Sequence, residues 1–100
     1  MPRHIRNVVL IVDDMVSNRI FLRNILKEDY EVLEAGNGEV ALQLLRHHHA
    51  KIVAVLLDLM MPVKDGRDTL DEIGKLGYLE EFPVLIVTAD ADAKNEAQLL

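Results

Sequence analysis

A doubly wound parallel α/β sheet is the fold this chain predicts, and three observations predict it. Three short runs hold only apolar residues: Val8-Val9-Leu10-Ile11-Val12, Val53-Ala54-Val55-Leu56-Leu57 and Val84-Leu85-Ile86-Val87. Apolar runs of this length, without polar alternation and rich in β-branched residues, read as strands covered on both faces. Between them lie stretches whose apolar residues fall three and four apart, the spacing of helices that bury one stripe. Strands alternating with such helices imply right-handed crossovers and helices on both faces of the sheet. The third observation is that each run stops at polar residues, Asp13-Asp14, Asp58 and Thr88 in turn. The carboxyl ends of parallel strands open onto the crevice where such sheets bind ligands, so these residues are placed for chemistry.

Each element has its own signal. After the first strand, Ile20, Phe21 and Ile25, with Leu22 and Leu26 on a wider stripe, predict a helix from Ser17 to about Lys27, and Ser17 is suited to cap it. Tyr30 to Ala35 mixes Glu31 and Glu34 with Val32 and Leu33, as a half-solvated edge strand does. Gly36-Asn37-Gly38 turns the chain, and Ala41, Leu44 and Leu45 mark a second helix over Val40 to His48. The central strand follows and ends at Asp58. The stretch Leu59-Met60-Met61-Pro62-Val63-Lys64-Asp65-Gly66 reads as a loop, stiffened by Pro62 and turned at Asp65-Gly66. Thr69, Leu70, Ile73 and Leu76 give a third helical stripe, weakened and ended by Gly74, Gly77 and the stretch up to Phe82. Pro83 opens the last apolar run. Residues 91–100 carry a helical pattern that stops without a terminator.

One hundred residues, half of them apolar, support a single domain with a modest core. The net charge of −6, from 17 acidic and 11 scattered basic residues, provides no basic face for nucleic acid or an anionic membrane. Cysteine is absent, which excludes a disulfide framework and thiolate chemistry and fits a cytoplasmic protein. The charged start Met1-Pro2-Arg3-His4-Ile5-Arg6 resembles no signal peptide, and no apolar stretch is long enough to span a bilayer.

If the apolar runs are parallel neighbours, Asp13, Asp14, Asp58 and Thr88 meet at one edge of the sheet. Two carboxylates ~5 Å apart repel by roughly 3 kcal/mol at an effective dielectric of about 20, so the cluster calls for a cation or a retained proton. All-oxygen ligands open to solvent suit Mg²⁺, which keeps several waters and is usually shared with a phosphate. Taken singly, an Asp at a strand end is most often a turn or capping residue; it is the convergence of several that points to a site.

These residues resemble the receiver domain of two-component response regulators. The resemblance rests on Asp13-Asp14 after the first strand, on Asp58 with Met61-Pro62 and Asp65-Gly66 behind it, and on Thr88-Ala89 after the last apolar run. Asn18-Arg19, Asn37-Gly38 and Ala41-Leu42 echo it. It implies strand order 2-1-3-4-5, the flavodoxin-like arrangement. It further implies that Asp58 accepts a phosphoryl group from a kinase phosphohistidine, and that Asp13, Asp14, Asp58 and the backbone carbonyl of Met60 hold Mg²⁺. Thr88 and the Ala89 amide would donate to the transferred oxygens. The module would switch an output domain or partner, assisting its own phosphoryl transfer and dephosphorylation without being an enzyme. Its partners would be a sensor histidine kinase or phosphotransfer protein and a downstream effector, with no direct nucleic-acid contact. Starting at Met1, it reads as a response regulator more than as part of a hybrid kinase.

Two features depart from the family pattern. Lys64 stands where an apolar residue is frequent, and the family's fifth strand, with its lysine, and last helix do not occur within residues 1–100. The expectation is therefore a receiver domain spanning 1–100 that is incomplete at its C-terminus. In a chain truly ending at Leu100, the run Val84 to Val87 would become a bare edge, and the chain would either self-associate through it, as a homodimer does, or fold poorly.

Other readings have less support. A haloacid-dehalogenase-like hydrolase would want a second Asp two residues after Asp58, where Met60 stands with no acid or base. The intact acids argue against a binding-only pseudo-receiver, while the absence of the family's lysine from residues 1–100 leaves that reading open. His47-His48-His49 reads as a solvated helix end, since contiguous helical residues point in different directions, and Gly36-Asn37-Gly38 lacks the full dinucleotide-loop pattern.

Overall fold

The structure, a computed structural model, describes residues 6–61 and 65–87. Four parallel strands, β1 (Val8–Val12), β2 (Glu31–Ala35), β3 (Ile52–Leu57) and β4 (Val84–Ile86), form one sheet in the order β2-β1-β3-β4. Three helices connect them: α1 (Val16–Leu26), α2 (Gly38–His48) and α3 (Gly66–Lys75). This is the expected α/β class and the first four positions of the expected order. The helix expected at 91–100 lies outside the described residues, and the fifth position of that order has no counterpart in residues 1–100.

β1 pairs Val8–Val12 with Glu31–Ala35 on one side and, through a register shift between Val8 and Val9, with β3 on the other. All five of its residues are buried. Alternation along the strand divides them between the two faces. Leu10 and Val12 join Ala41, Leu45, Val55, Leu57 and Ile73 in one core between the sheet and α2 and α3. Val9 and Ile11 face the opposite side, where α1 packs on β1 and β2. The connection from β1 to β2 runs one way along the sheet and the later ones run the other way, so right-handed crossovers put α1 on the face opposite α2 and α3.

Several boundaries differ from the sequence reading, each for a local reason. α1 begins at Val16 behind Met15, not at a Ser17 cap, because the Asp13 carboxylate accepts the Met15 amide and turns the chain into the helix early. α2 begins at Gly38, where the Asn37 side chain accepts the Val40 amide at 2.9 Å. Asp65 and Gly66 are not a loop turn: Asp65 caps α3 by accepting the Asp68 amide, and Gly66 is the first helical residue. Gly74 lies inside α3, and it is Gly77, at φ 83°, that ends the segment in a left-handed conformation.

The largest departure is β4. Read as a strand covered on both faces, it leaves Leu85 and Ile86 about half exposed. Among the described residues its strand neighbour is β3 alone.

Candidate functional site

The carboxyl ends of β1 and β3 lie side by side, and the chain leaves both by the same local geometry. At the end of β1, Asp13 Oδ1 accepts the amide of Met15, two residues on, at 2.9 Å. Past β3, Asp58 Oδ1 accepts the amide of Met60, also two residues on, at 3.0 Å. In each case an aspartate side chain supplies the acceptor that the strand ladder no longer provides, and the chain turns away from the sheet. Ladder bonds continue to the edge of the site, from Asp13 N–H to the Ala35 carbonyl and from Asp58 N–H to the Val12 carbonyl.

The result is a compact acidic group. One carboxylate oxygen each from Asp13, Asp14 and Asp58 lies within 4.8 Å of the others. Asp13 is 3% and Asp58 8% exposed, whereas Asp14 is open to solvent. Two buried acids and an exposed one, all oxygen donors with an open side, are a group that could hold a hard divalent cation. The donor set therefore fits the Mg²⁺ expected from the sequence.

Neighbouring groups hold these acids in place. Asn18 Nδ2 donates to Asp13 Oδ2 at 3.3 Å, and Arg19 Nη1 donates to the Asp13 carbonyl oxygen at 2.5 Å. Arg19 Nε also donates to Glu34 Oε1 at 3.0 Å, while Arg23 bonds the other oxygen of Glu34. Burial alone would raise the Glu34 carboxyl, but the hydrogen bonds and charges of Arg23 and Arg19 outweigh it and hold the group below its ordinary value. On the β3 side, Gly66 is pressed against the backbone that follows Asp58. A Cβ there would lie 2.3 Å from both the Asp58 carbonyl oxygen and the Leu59 Cα, and the Gly66 amide donates to the Leu59 carbonyl. No side chain larger than hydrogen fits without moving the Asp58 loop.

The structure thus brings together Asp13, Asp14 and Asp58 as the sequence predicts, with Met60 bonded to Asp58 through its amide. Thr88 and Ala89 lie outside the described residues, as do Pro62, Val63 and Lys64. Sequence reasoning missed Glu34, Arg23 and the positional role of Gly66. Opposite charges on neighbouring elements were the available signal for Glu34, and the Gly66 contact has none without coordinates. His47, His48 and His49 form no common site: His47 Nδ1 lies 2.9 Å from its own helix carbonyl at Gln43, and His49 Nδ1 is paired with Glu81.

A four-stranded parallel sheet in this order, with paired acids at one strand end beside a single acid at the next, belongs to the flavodoxin-like class of α/β domains. The model of the response regulator receiver domain matches residues 9–100, and the chain belongs to that family. Among similar proteins, histidine kinase P4 of Formosa agariphila is 32% identical over 84% of this chain, and the transcriptional regulatory protein SrrA of Staphylococcus aureus is 33% identical over 92%. This chain spans 6% and 36% of their respective lengths. Among solved structures, a chain of the CheX-CheY-BeF3-Mg complex from Borrelia burgdorferi superposes with a TM-score of 0.75 at 31% identity, covering 85% of this chain and 63% of that one. A CheY-like receiver domain from Methanospirillum hungatei gives 0.70 at 30%, covering 81% and 64%. Receiver domains are signalling modules, which pair with histidine kinases and output domains. Among the described residues no helix is long and apolar enough to cross a membrane.

Proposed function

We propose that Asp58 is the phosphoacceptor of a receiver domain extending over residues 1–100, and that it takes a phosphoryl group from a kinase or phosphotransfer-protein phosphohistidine in the cytoplasm. A carboxylate oxygen of Asp58 attacks phosphorus, the P–N bond breaks, and its electron pair returns to the imidazole. The convergence of Asp13 and Asp14 on Asp58 is the observation that carries this reading. These acids would hold Mg²⁺ together with the Met60 carbonyl, and the bound ion would neutralise charge on the transferred oxygens.

The chain's own residues do the positioning. The Met60 amide orients the Asp58 carboxylate from one side, and the Leu59–Gly66 contact fixes the loop that carries it. Thr88 and the Ala89 amide, at the position the family reserves for donors to the phosphoryl oxygens, complete the assignment. Its partners are a histidine kinase and an output domain, and its acidic balance leaves nucleic acid to another domain.

Incubation with a small phosphodonor and Mg²⁺, followed by mass-spectrometric mapping, tests this. One adduct is expected, on Asp58, labile as an acyl phosphate and absent from Asp58→Asn. The same level of modification in that variant would overturn the assignment.

A further inference from the structure

We propose that Arg19 is a positioning residue for the metal site, with Glu34 as its dedicated counter-ion; the inference rests on the Mg²⁺ reading above and names a part of its support. The Arg19 side chain is only 16% exposed. Its planar guanidinium makes two directed bonds, from Nη1 to the Asp13 carbonyl oxygen and from Nε to Glu34 Oε1, and two bonds from one plane fix its orientation.

The acceptor is what makes this more than a surface pair. The carbonyl of Asp13 belongs to the peptide that joins Asp13 to Asp14, so the bond sets the rotation of that peptide. Asp14 is exposed, so its direction is set by the backbone before it more than by packing. Asp13 needs less help. Its amide is bound to Ala35, and its carboxylate accepts from Met15 and Asn18. Arg19 therefore acts chiefly on where the Asp14 carboxylate points relative to Asp13 and Asp58.

Glu34 has a separate part. A bare guanidinium beside three carboxylates would be drawn to them and would compete with a cation for the same oxygens. Glu34 lies on β2 and takes the Arg19 Nε–H, a different nitrogen from the one that bonds Asp13, and its second oxygen is held by Arg23. This arrangement neutralises Arg19 while leaving Nη1 on the Asp13 carbonyl.

The competing view is that the Arg19–Glu34–Arg23 group only ties α1 to β2. Arg23 separates the two, because it bonds Glu34 and has no bond to Asp13. The test is Mg²⁺ titration of the chain, followed by the amide NMR shifts of Asp14 and Met60, in wild type, Asp14→Asn, Arg19→Gln, Arg19→Lys, Arg23→Gln and Glu34→Gln. Supporting groups of metal ligands cost tenfold or more in affinity when removed, so Arg19→Gln should weaken Mg²⁺ binding roughly tenfold, with Arg23→Gln close to wild type. Arg19→Lys should fall between, since one ammonium cannot span both acceptors. Glu34→Gln leaves Arg19 in place without its counter-ion and should also weaken binding, which decides the matter if Arg19→Gln does not fold.

Unchanged affinity in Arg19→Gln or, where that variant does not fold, in Glu34→Gln would overturn the proposal. So would an equal loss in Arg23→Gln. A wild-type chain with no saturable Mg²⁺ shift at Asp14, or with one that Asp14→Asn leaves intact, would instead overturn the metal reading on which the proposal stands.

Discussion

α1 and α2 are both eleven residues long, both leave a strand of the same sheet, and both carry apolar residues at helical spacing. They are held in opposite ways. α2 buries Gly38, Ala41, Leu42 and Leu45 against the sheet and α3. α1 buries no residue, and Val16, Ile20, Phe21 and Ile25 stay about half or more exposed. What fixes α1 among the described residues is largely polar: Asn18 and Arg19 reach Asp13, and Arg19 and Arg23 reach Glu34. One helix is held by burial and the other by directed bonds converging on the acid site. An apolar stripe shows that a helix has a face, not that the face is covered.

The widest test of this difference compares one large apolar side chain from each helix. Leu45→Ala should cost about 2–5 kcal/mol in a denaturant melt of residues 1–100, because it empties a site with no solvent access. Phe21→Ala, at 64% exposure, should cost under about 1 kcal/mol. A Phe21 penalty near that of Leu45 would show that α1 is covered in solution.

Gly66→Ala comes next. Its new methyl meets the Asp58 and Leu59 backbone, so a loss of about 1–3 kcal/mol is expected, together with a large fall in Asp58 phosphorylation. Wild-type phosphorylation in this variant would mean that the loop yields without disturbing the acceptor.

The smallest effect belongs to the ion group on α1. The folded pKa of Glu34 lies below its ordinary 4.5, so its pairing adds stability above that value and loses it as pH falls through the lowered pKa. Glu34→Gln should therefore be less stable than wild type near neutrality, by under about 1 kcal/mol, with the gap closing below pH 4.5. Thermal melts across that range check it. A gap that does not depend on pH would assign the loss to packing.

How far the sequence was informative follows the same division. β1 and the acids after it were legible because an all-apolar run broken by carboxylates has few other readings; β3 differs only by the addition of Ile52. The start of α1 was misread because the residue that organises it, Asp13, precedes the helix and acts through its side chain, which displaced Ser17 as the cap. Asp65-Gly66 carries the same letters whether it turns a loop or opens a helix; only the fit of Gly66 against Asp58 decides. Val84-Leu85-Ile86 is as apolar as β1, but composition does not say how many neighbours a strand will have. The acid triad was found by placing strand ends together, whereas Glu34 was passed over as an edge-strand surface charge.

The position of β1 between β2 and β3 has a consequence for how the chain folds. It pairs with both in parallel, so neither partner can reach it through a tight hairpin, and Val12 meets Leu57 only after two helices and a strand have been made. Contacts this distant in sequence close slowly, since the loop entropy is lost before the pairing rewards it. Within these residues β1 is made before both of its partners, and its edge toward β3 stays open until the segment ending at Leu57 has been synthesised. The strand that anchors the finished sheet is thus exposed to stray pairing for longer than the partners made after it, and the acids that follow it at once, Asp13 and Asp14, supply charge that discourages such pairing.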